Sequence, residues 1–372
     1  MTGKKLVGMI IVFVVLVGIA VIQRSGRRPP EIGRKVSDQS LFDGIDLRSL
    51  TSIDVEEGTN AVVLALQDGE WVVTSLYDYP ADFERLADVI RSAADAETGR
   101  PVRSGNVDVS EYGFGRDARR IMLSTGNGEA AGIEVGALRH AAETAEYATQ
   151  YFVRRIGDPS IYLVDYDFDK FSAIAEDWID RQLIDIRAAR IVEIRTGDLV
   201  LREGQSGWML EGMDPEKEAL QPDAVSRLQS ALEYLSLDSL ADPDRPDAEL
   251  GFNQPDRYVA KTGDGLICTV LLGAETGEGR FARLSVSCEK PDPPAQPGEG
   301  AEDSDLEAYQ QTLNAYDRAF EATTEQADEL NARFAGWTYR LSPNAADSLV
   351  AGREALVQEI SPPAEAEALP AE

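Results

Sequence analysis

Apolar and polar residues follow two rhythms along this chain, and one stretch follows neither. Leu6 to Ile22 (LVGMIIVFVVLVGIAVI) carries no charge and no strongly polar side chain. As a helix it is about 26 Å long, from a rise of roughly 1.5 Å per residue. Snorkelling by Lys5 and Arg24 brings that length to the roughly 30 Å of a hydrocarbon core. The pattern predicts a short N-terminal segment (1–5), a transmembrane helix (6–23) and a basic, proline-bearing linker (24–40). A cleaved signal peptide is the competing reading, with Gly18 and Ala20 as the small residues near a cleavage point. Basic residues lie on both sides of the run, so charge alone leaves its orientation open.

Period-two alternation starts after the linker. Ser52 to Glu56, Ala61 to Leu66 and Trp71 to Val73 predict three strands separated by Glu57-Gly58-Thr59-Asn60 and Asp68-Gly69 turns. Connections this short make the meander antiparallel. Pro80-Ala81-Asp82 opens a helix to about Ala94, with Phe83, Leu86, Ala87 and Ile90 on its apolar side. After Glu111-Tyr112-Gly113-Phe114 come a hairpin (Ile121 to Ser124, Gly132 to Val135) and strands at Gln150 to Arg155 and Ile161 to Val164. A helix from Phe168 to Ile179 leads into the joint Asp177 to Ile186 (DWIDRQLIDI).

Beyond that joint the same punctuation returns in the same order. Trp71 recurs as Trp208, PADFERL (Pro80 to Leu86) as PDAVSRL (Pro222 to Leu228), and EYGF as ELGF (Glu249 to Phe252). The turn TGNG, followed by Gly136-Ala137, recurs as TGDG (Thr262 to Gly265), followed by Gly273-Ala274. An ordered series at near-constant spacing points to duplication. Phe281 to Val286 answers the strand at Phe152, and Trp337 to Leu341 answers Ile161 to Val164. The predicted class is therefore α+β: a transmembrane helix, then two tandem modules of antiparallel sheet with packed helices, 41–184 and 185–360. An acidic insertion (289–335) interrupts the second. Its helix, Asp305 to Phe334, reads either as packed on its own module or as a docking helix for a partner. A disordered tail (361–372) closes the chain.

The 372 residues carry a net charge of -30, which repels nucleic acid and anionic lipid. A single histidine, His140, excludes most His-based metal and triad chemistry. Asp165, Asp167, Asp169 and Glu176 have spacing similar to a calcium loop, but Lys170 stands where such a loop needs glycine. Acids at a helix start are the plainer reading. Gly126-x-Gly128 with Gly132 lacks the context of a phosphate-cradling loop and reads as a hairpin. Cys268 and Cys288 lie on two predicted strands, where a disulfide and two free thiols are both open. No catalytic, cofactor-binding or metal-binding residue is assigned, and no cofactor is expected.

Trp71-Val72-Val73, Tyr79 to Asp82 (YPAD), Tyr151 to Arg155 (YFVRR), Ile161 to Val164 (IYLV) and DWIDRQLIDI together resemble the bacterial family known as domain of unknown function 4340. The resemblance covers most of the first module and the joint, and more loosely the second. It implies a single-pass protein of the inner membrane with its bulk extracytoplasmic (periplasmic), auxiliary to a gliding-motility-type ABC transporter. A transporter subunit is then the expected protein partner. The expected function is non-catalytic; an extracytoplasmic hydrolase using acidic residues, or a ligand-binding module with a pocket between the repeats, are the alternatives.

Overall fold

Short β-branched segments divided by glycine turns fold into antiparallel strands when one face of each can be buried. The computed structural model describes residues 40–103, 108–139, 150–298 and 302–360. It divides into two compact units between Asp180 and Arg181.

In the first unit β1 (Leu50–Glu57), β2 (Asn60–Gln67) and β3 (Glu70–Val73) form the expected meander, and β4 (Tyr79–Pro80) extends its edge. Helix α1 (Phe83–Ala94) and β5 (Arg100–Arg103) follow. The hairpin β6 (Arg119–Thr125) and β7 (Ala130–Leu138), then β8 (Gln150–Arg155) and β9 (Ile161–Asp165), complete a sheet of order β4-β3-β2-β1-β6-β7-β8-β9-β5. Alternation puts Ile53, Val55, Val62, Leu64, Ile121, Leu123, Ile133 and Val135 on the covered face. At the start of α1 the Asp82 carboxylate accepts from the backbone N–H groups of Glu84 (3.0 Å) and Arg85 (3.1 Å), an N-cap. The helix buries Leu86, Val89 and Ala93, whereas Phe83, expected on the inner side, is 43% exposed.

The helix expected over Phe168 to Ile179 does not form. Two 3-10 turns, Phe168–Lys170 and Ala175–Trp178, flank an irregular stretch. Ser172 accounts for the break. Its hydroxyl accepts from Ile174 N–H (3.1 Å) and donates to the Asp177 carboxylate (2.6 Å), and its carbonyl accepts the Trp178 indole N–H (2.8 Å). Such local bonds compete with a helical ladder. The Trp178 side chain is fully buried, and its carbonyl accepts from Asp82 N–H (2.7 Å), tying the end of the unit to the cap of α1. Nearby, Tyr166 makes ring contacts with Phe168 and Phe171, and Phe171 with Phe42.

The second unit opens with β10 (Gln182–Ile184), then β11 (Ile191–Thr196), β12 (Leu199–Gly204), β13 (Gly207–Leu210) and β14 (Glu218–Leu220). Helix α2 (Pro222–Ser230), β15 (Leu235–Ser236), β16 (Ser239–Leu240) and the single turn α3 (Asp247–Leu250) come next. The long strands β17 (Asp256–Thr262), β18 (Leu266–Thr276) and β19 (Gly279–Cys288) precede helix α4 (Asp303–Phe334), β20 (Tyr339–Leu341) and β21 (Val357–Glu359). The main sheet runs β13-β12-β11-β17-β18-β19-β20-β16, strand for strand the order β3-β2-β1-β6-β7-β8-β9-β5 of the first unit. Two small ladders, β10 with β15 and β14 with β21, lie outside it.

One architectural expectation is corrected. Among the described residues no helix is long and apolar enough to cross a membrane, so the fold is a sheet-rich α+β one with large antiparallel sheets. The longest helix, α4, buries only Thr323, Ala327 and Phe334, and acids are spread along it. The stretch 6–23 expected to span a membrane lies outside the described residues, as do most of the linker and the tail 361–372. Helix α4 packs along β19 of its own unit. There the Asn331 side-chain amide donates to Val286 O (2.6 Å) and accepts from Val286 N–H (2.8 Å), where β20 is too short to reach.

The glycines of EYGF and ELGF explain why those motifs recur. Gly113 and Gly251 close their turns at φ 77° and 81°, in the left-handed region. A Cβ on Gly113 would lie 2.5 Å from Ala137 N, and one on Gly251 2.3 Å from Ala274 N. From the strand side, a Cβ on Gly136 would lie 2.3 Å from Tyr112 O, and one on Gly273 2.1 Å from Leu250 O. Each turn thus rests backbone to backbone on a strand, where the β7–β8 and β18–β19 registers shift. Gly113→Ala and Gly251→Ala should each cost about 2–4 kcal/mol, combining left-handed strain with steric overlap. Urea denaturation of each variant measures this; a loss under about 0.5 kcal/mol would show that the turns can lift away.

Candidate functional site

Alternation gives each sheet a second face, and on the first unit it is ordered by charge. Glu56 on β1 stands opposite Arg120 on β6, which stands opposite Glu134 on β7, itself opposite Arg154 on β8. Arg120 reaches Glu56 at 3.2 Å and Glu134 at 3.0 Å, and Arg154 closes on the same Glu134 carboxylate. The result is a ladder of alternating sign across four neighbouring strands, in which opposite-charge cross-strand pairs each contribute roughly 0.2–1 kcal/mol. Burial tends to raise the Glu134 carboxyl, but hydrogen bonds from Arg120 and Arg154 outweigh it and hold the group below its ordinary value near 4.5. The Arg154 guanidinium also lies 5.1 Å from the Phe114 ring centroid, and Phe114 in turn covers Gly136.

The TGNG and TGDG turns align the hairpins β6–β7 and β17–β18, so that Arg120 corresponds to Arg257 and Glu134 to Leu271. Sheet register carries the match outward: Arg154, opposite Glu134, corresponds to Arg283, opposite Leu271, and Glu56, opposite Arg120, to Gly197, opposite Arg257. Both arginines remain and both acids are gone. Arg283 finds other partners: Asp247 (2.6 Å), the Thr338 hydroxyl (2.9 Å) and the Phe252 ring, at 4.1 Å from its centroid. Arg257 makes no ion pair among the described residues. Elsewhere on this face Glu193 is gripped by Arg195 (2.6 Å) and Arg202 (2.8 Å), and Lys261 by Glu289 (2.8 Å). Burial raises the Glu193 carboxyl, and hydrogen bonds from Arg202 and Arg195 bring it net below its ordinary value.

The acids singled out by spacing are not assembled around a common point. The Asp167 carboxylate accepts from Asp169 N–H (3.1 Å), and Asp169, 77% exposed, pairs with Arg119 (3.3 Å). Asp165 ends β9, and Glu176 sits in the second 3-10 turn. Among the described residues no group of three His, Cys, Asp or Glu side chains is placed to hold a metal ion. His140 lies outside the described residues. Gly128 and Gly265 take φ 86° and 91° in hairpin turns, not in phosphate-binding loops.

Cys268 and Cys288 are free. Cys268 pairs across the ladder with Val286, and Cys288 with Leu266, so the two thiols are diagonal neighbours. Diagonal side chains stand roughly 7–8 Å apart, beyond the roughly 4 Å between Cβ atoms that a disulfide needs. Burial pushes the Cys268 thiol up to about 12. The ladder and the lone Arg257 escaped detection by spacing because they join residues from different hairpins. Aligning the two turns on Thr125 and Thr262 matches Arg120 with Arg257 and Glu134 with Leu271, but the remaining members follow only from sheet register.

Fold and face together define a class, the sheet-rich α+β protein built from two units of one strand order. The family described as Domain of unknown function (DUF4340) matches residues 71–255, from the β3 tryptophan across the divide to the residue before β17, and this supports placing the chain in that family. No curated protein and no solved structure matches at a significant level.

Because the folded Glu134 carboxyl titrates below its unfolded value, its contribution is complete above about pH 4.5 and drains away as pH falls through the lowered value. Glu134→Gln should therefore cost about 1 kcal/mol near neutral pH, and progressively less as pH falls below about 4.5 through the lowered value. Urea melts of both proteins across this pH range check this, and a pH-independent gap would deny the ion pairs a role. For the cysteines, intact mass under non-reducing conditions should show two free thiols. Native alkylation should spare Cys268 until the protein unfolds.

Proposed function

We propose that this protein is a non-catalytic binding component, an auxiliary subunit holding a partner such as a subunit of a gliding-motility-type ABC transporter. It works at the cytoplasmic membrane with its bulk extracytoplasmic. The observation that supports this reading best is the open face of the first sheet. An antiparallel sheet covered on one side presents a broad, rigid surface on the other. Here Val63 and Met122 flank Asp54 on that surface, and Met122 and Ile156 both lean over Gly132. A Cβ on Gly132 would meet Met122 Sδ at 2.2 Å and Ile156 Cδ1 at 2.7 Å, so the glycine lets two apolar side chains converge. Ile156 is 47% exposed, and the Glu56–Arg120–Glu134–Arg154 ladder runs along the same face. Apolar side chains set among charged ones suit a non-obligate protein interface, which is about as apolar as the rest of a protein surface.

Affinity purification from native membranes tests the proposal. A transporter subunit should accompany the wild-type chain and be lost with Met122→Lys at an unchanged melting temperature. Recovery of bulk lipid alone would overturn the auxiliary role.

A further inference from the structure

A concave depression of about 540 Å³ opens on the face of the second sheet, across strands β12, β11, β17, β18 and β19. Val200, Val259 and Ile267 form the apolar part of its wall, and charged side chains, Arg257 and Lys261 among them, form much of the rest. The volume lies within the roughly 300–1,000 Å³ of small-molecule sites. Most charges on the wall are already matched, Glu193 by Arg195 and Arg202, and Lys261 by Glu289. Arg257 is not matched among the described residues, because Gly197 and Leu271 occupy the positions of the two acids that clamp Arg120 in the first unit.

A guanidinium with no carboxylate partner among the described residues, beside apolar side chains, is built for an acid supplied from outside. We propose that this depression binds a small amphiphilic monocarboxylate, its acid head on Arg257 and its apolar body over Val200, Val259 and Ile267. A guanidinium favours this class because it offers a planar fork of donors matching a carboxylate. Asp198, also on the wall and in no ion pair among the described residues, repels a second acid group and so limits the ligand to one. The net charge of -30 argues for a free monomer rather than an anionic bilayer surface. This inference stands apart from the protein-partner reading, which concerns the first sheet.

The test is calorimetric titration of the full chain with monomeric sodium octanoate. Saturable one-to-one binding is expected, weakened at least about tenfold by Arg257→Gln and strengthened by Asp198→Asn. Arg120→Gln serves as the control and should leave octanoate binding unchanged, since its guanidinium is already held by two carboxylates. Circular dichroism verifies that each variant folds. Absence of saturable binding, indifference to Arg257→Gln, weakening by Asp198→Asn, or equal binding of octylammonium would each overturn the assignment. So would Arg257-dependent capture by phosphatidylglycerol vesicles without octanoate binding.

Discussion

The close approach of two backbones, a turn against a strand, is the constraint on which each unit depends. At Gly113 against Ala137, and at Gly251 against Ala274, no side chain fits between the chains. With the turn seated, the ring of the following aromatic, Phe114 or Phe252, lies against Gly136 or Gly273. An arginine then stacks on that ring, Arg154 in one unit and Arg283 in the other. In the second unit the same corner gathers Ala241, Leu250 and Phe281 with Phe252 and Ala274 into a small core. Contact of this kind is intolerant of change because the clashing atoms are main-chain atoms and have no rotamer to yield.

Common scaffolding makes the divergence between the units informative. Where strand order, turn glycines and stacked arginines coincide, substitutions on the open faces are left to answer to something other than folding. The first face balances its charges internally, with every guanidinium of the ladder matched by a carboxylate. The second keeps the guanidinium groups without the acids opposite them, so that Arg257 has no ion pair among the described residues. An exposed arginine costs the fold almost nothing, whereas an unmatched one in a lined depression is poised for recognition.

Much of the architecture was legible from local pattern. Alternation placed β1, β2, β8 and β9 within a residue or two of their ends, and the Asp82 cap marked the start of α1. Failures came where bonding is not periodic. The apolar spacing through Phe168 to Ile179 is helical, yet Ser172 and Trp178 spend their hydrogen bonds locally and break it. Strand β5 was missed because four residues, Arg100–Arg103, including a proline, carry almost no strand signal on their own and pair only with β9. The charged faces were invisible for a different reason. Glu56, Arg120, Glu134 and Arg154 become neighbours only through sheet register, which the individual segments do not encode.

Helix α4 has a bearing on solubility that its packing alone does not convey. Past Ala282, strand β19 has lost its β20 neighbour, and its outward amide groups would form a template on which another polypeptide could zip. By offering one carboxamide to both the N–H and the C=O of Val286, Asn331 impersonates the missing peptide unit and blunts that template. One side chain on the long helix of the acidic insertion thereby closes part of an edge along which a strand would otherwise have to grow.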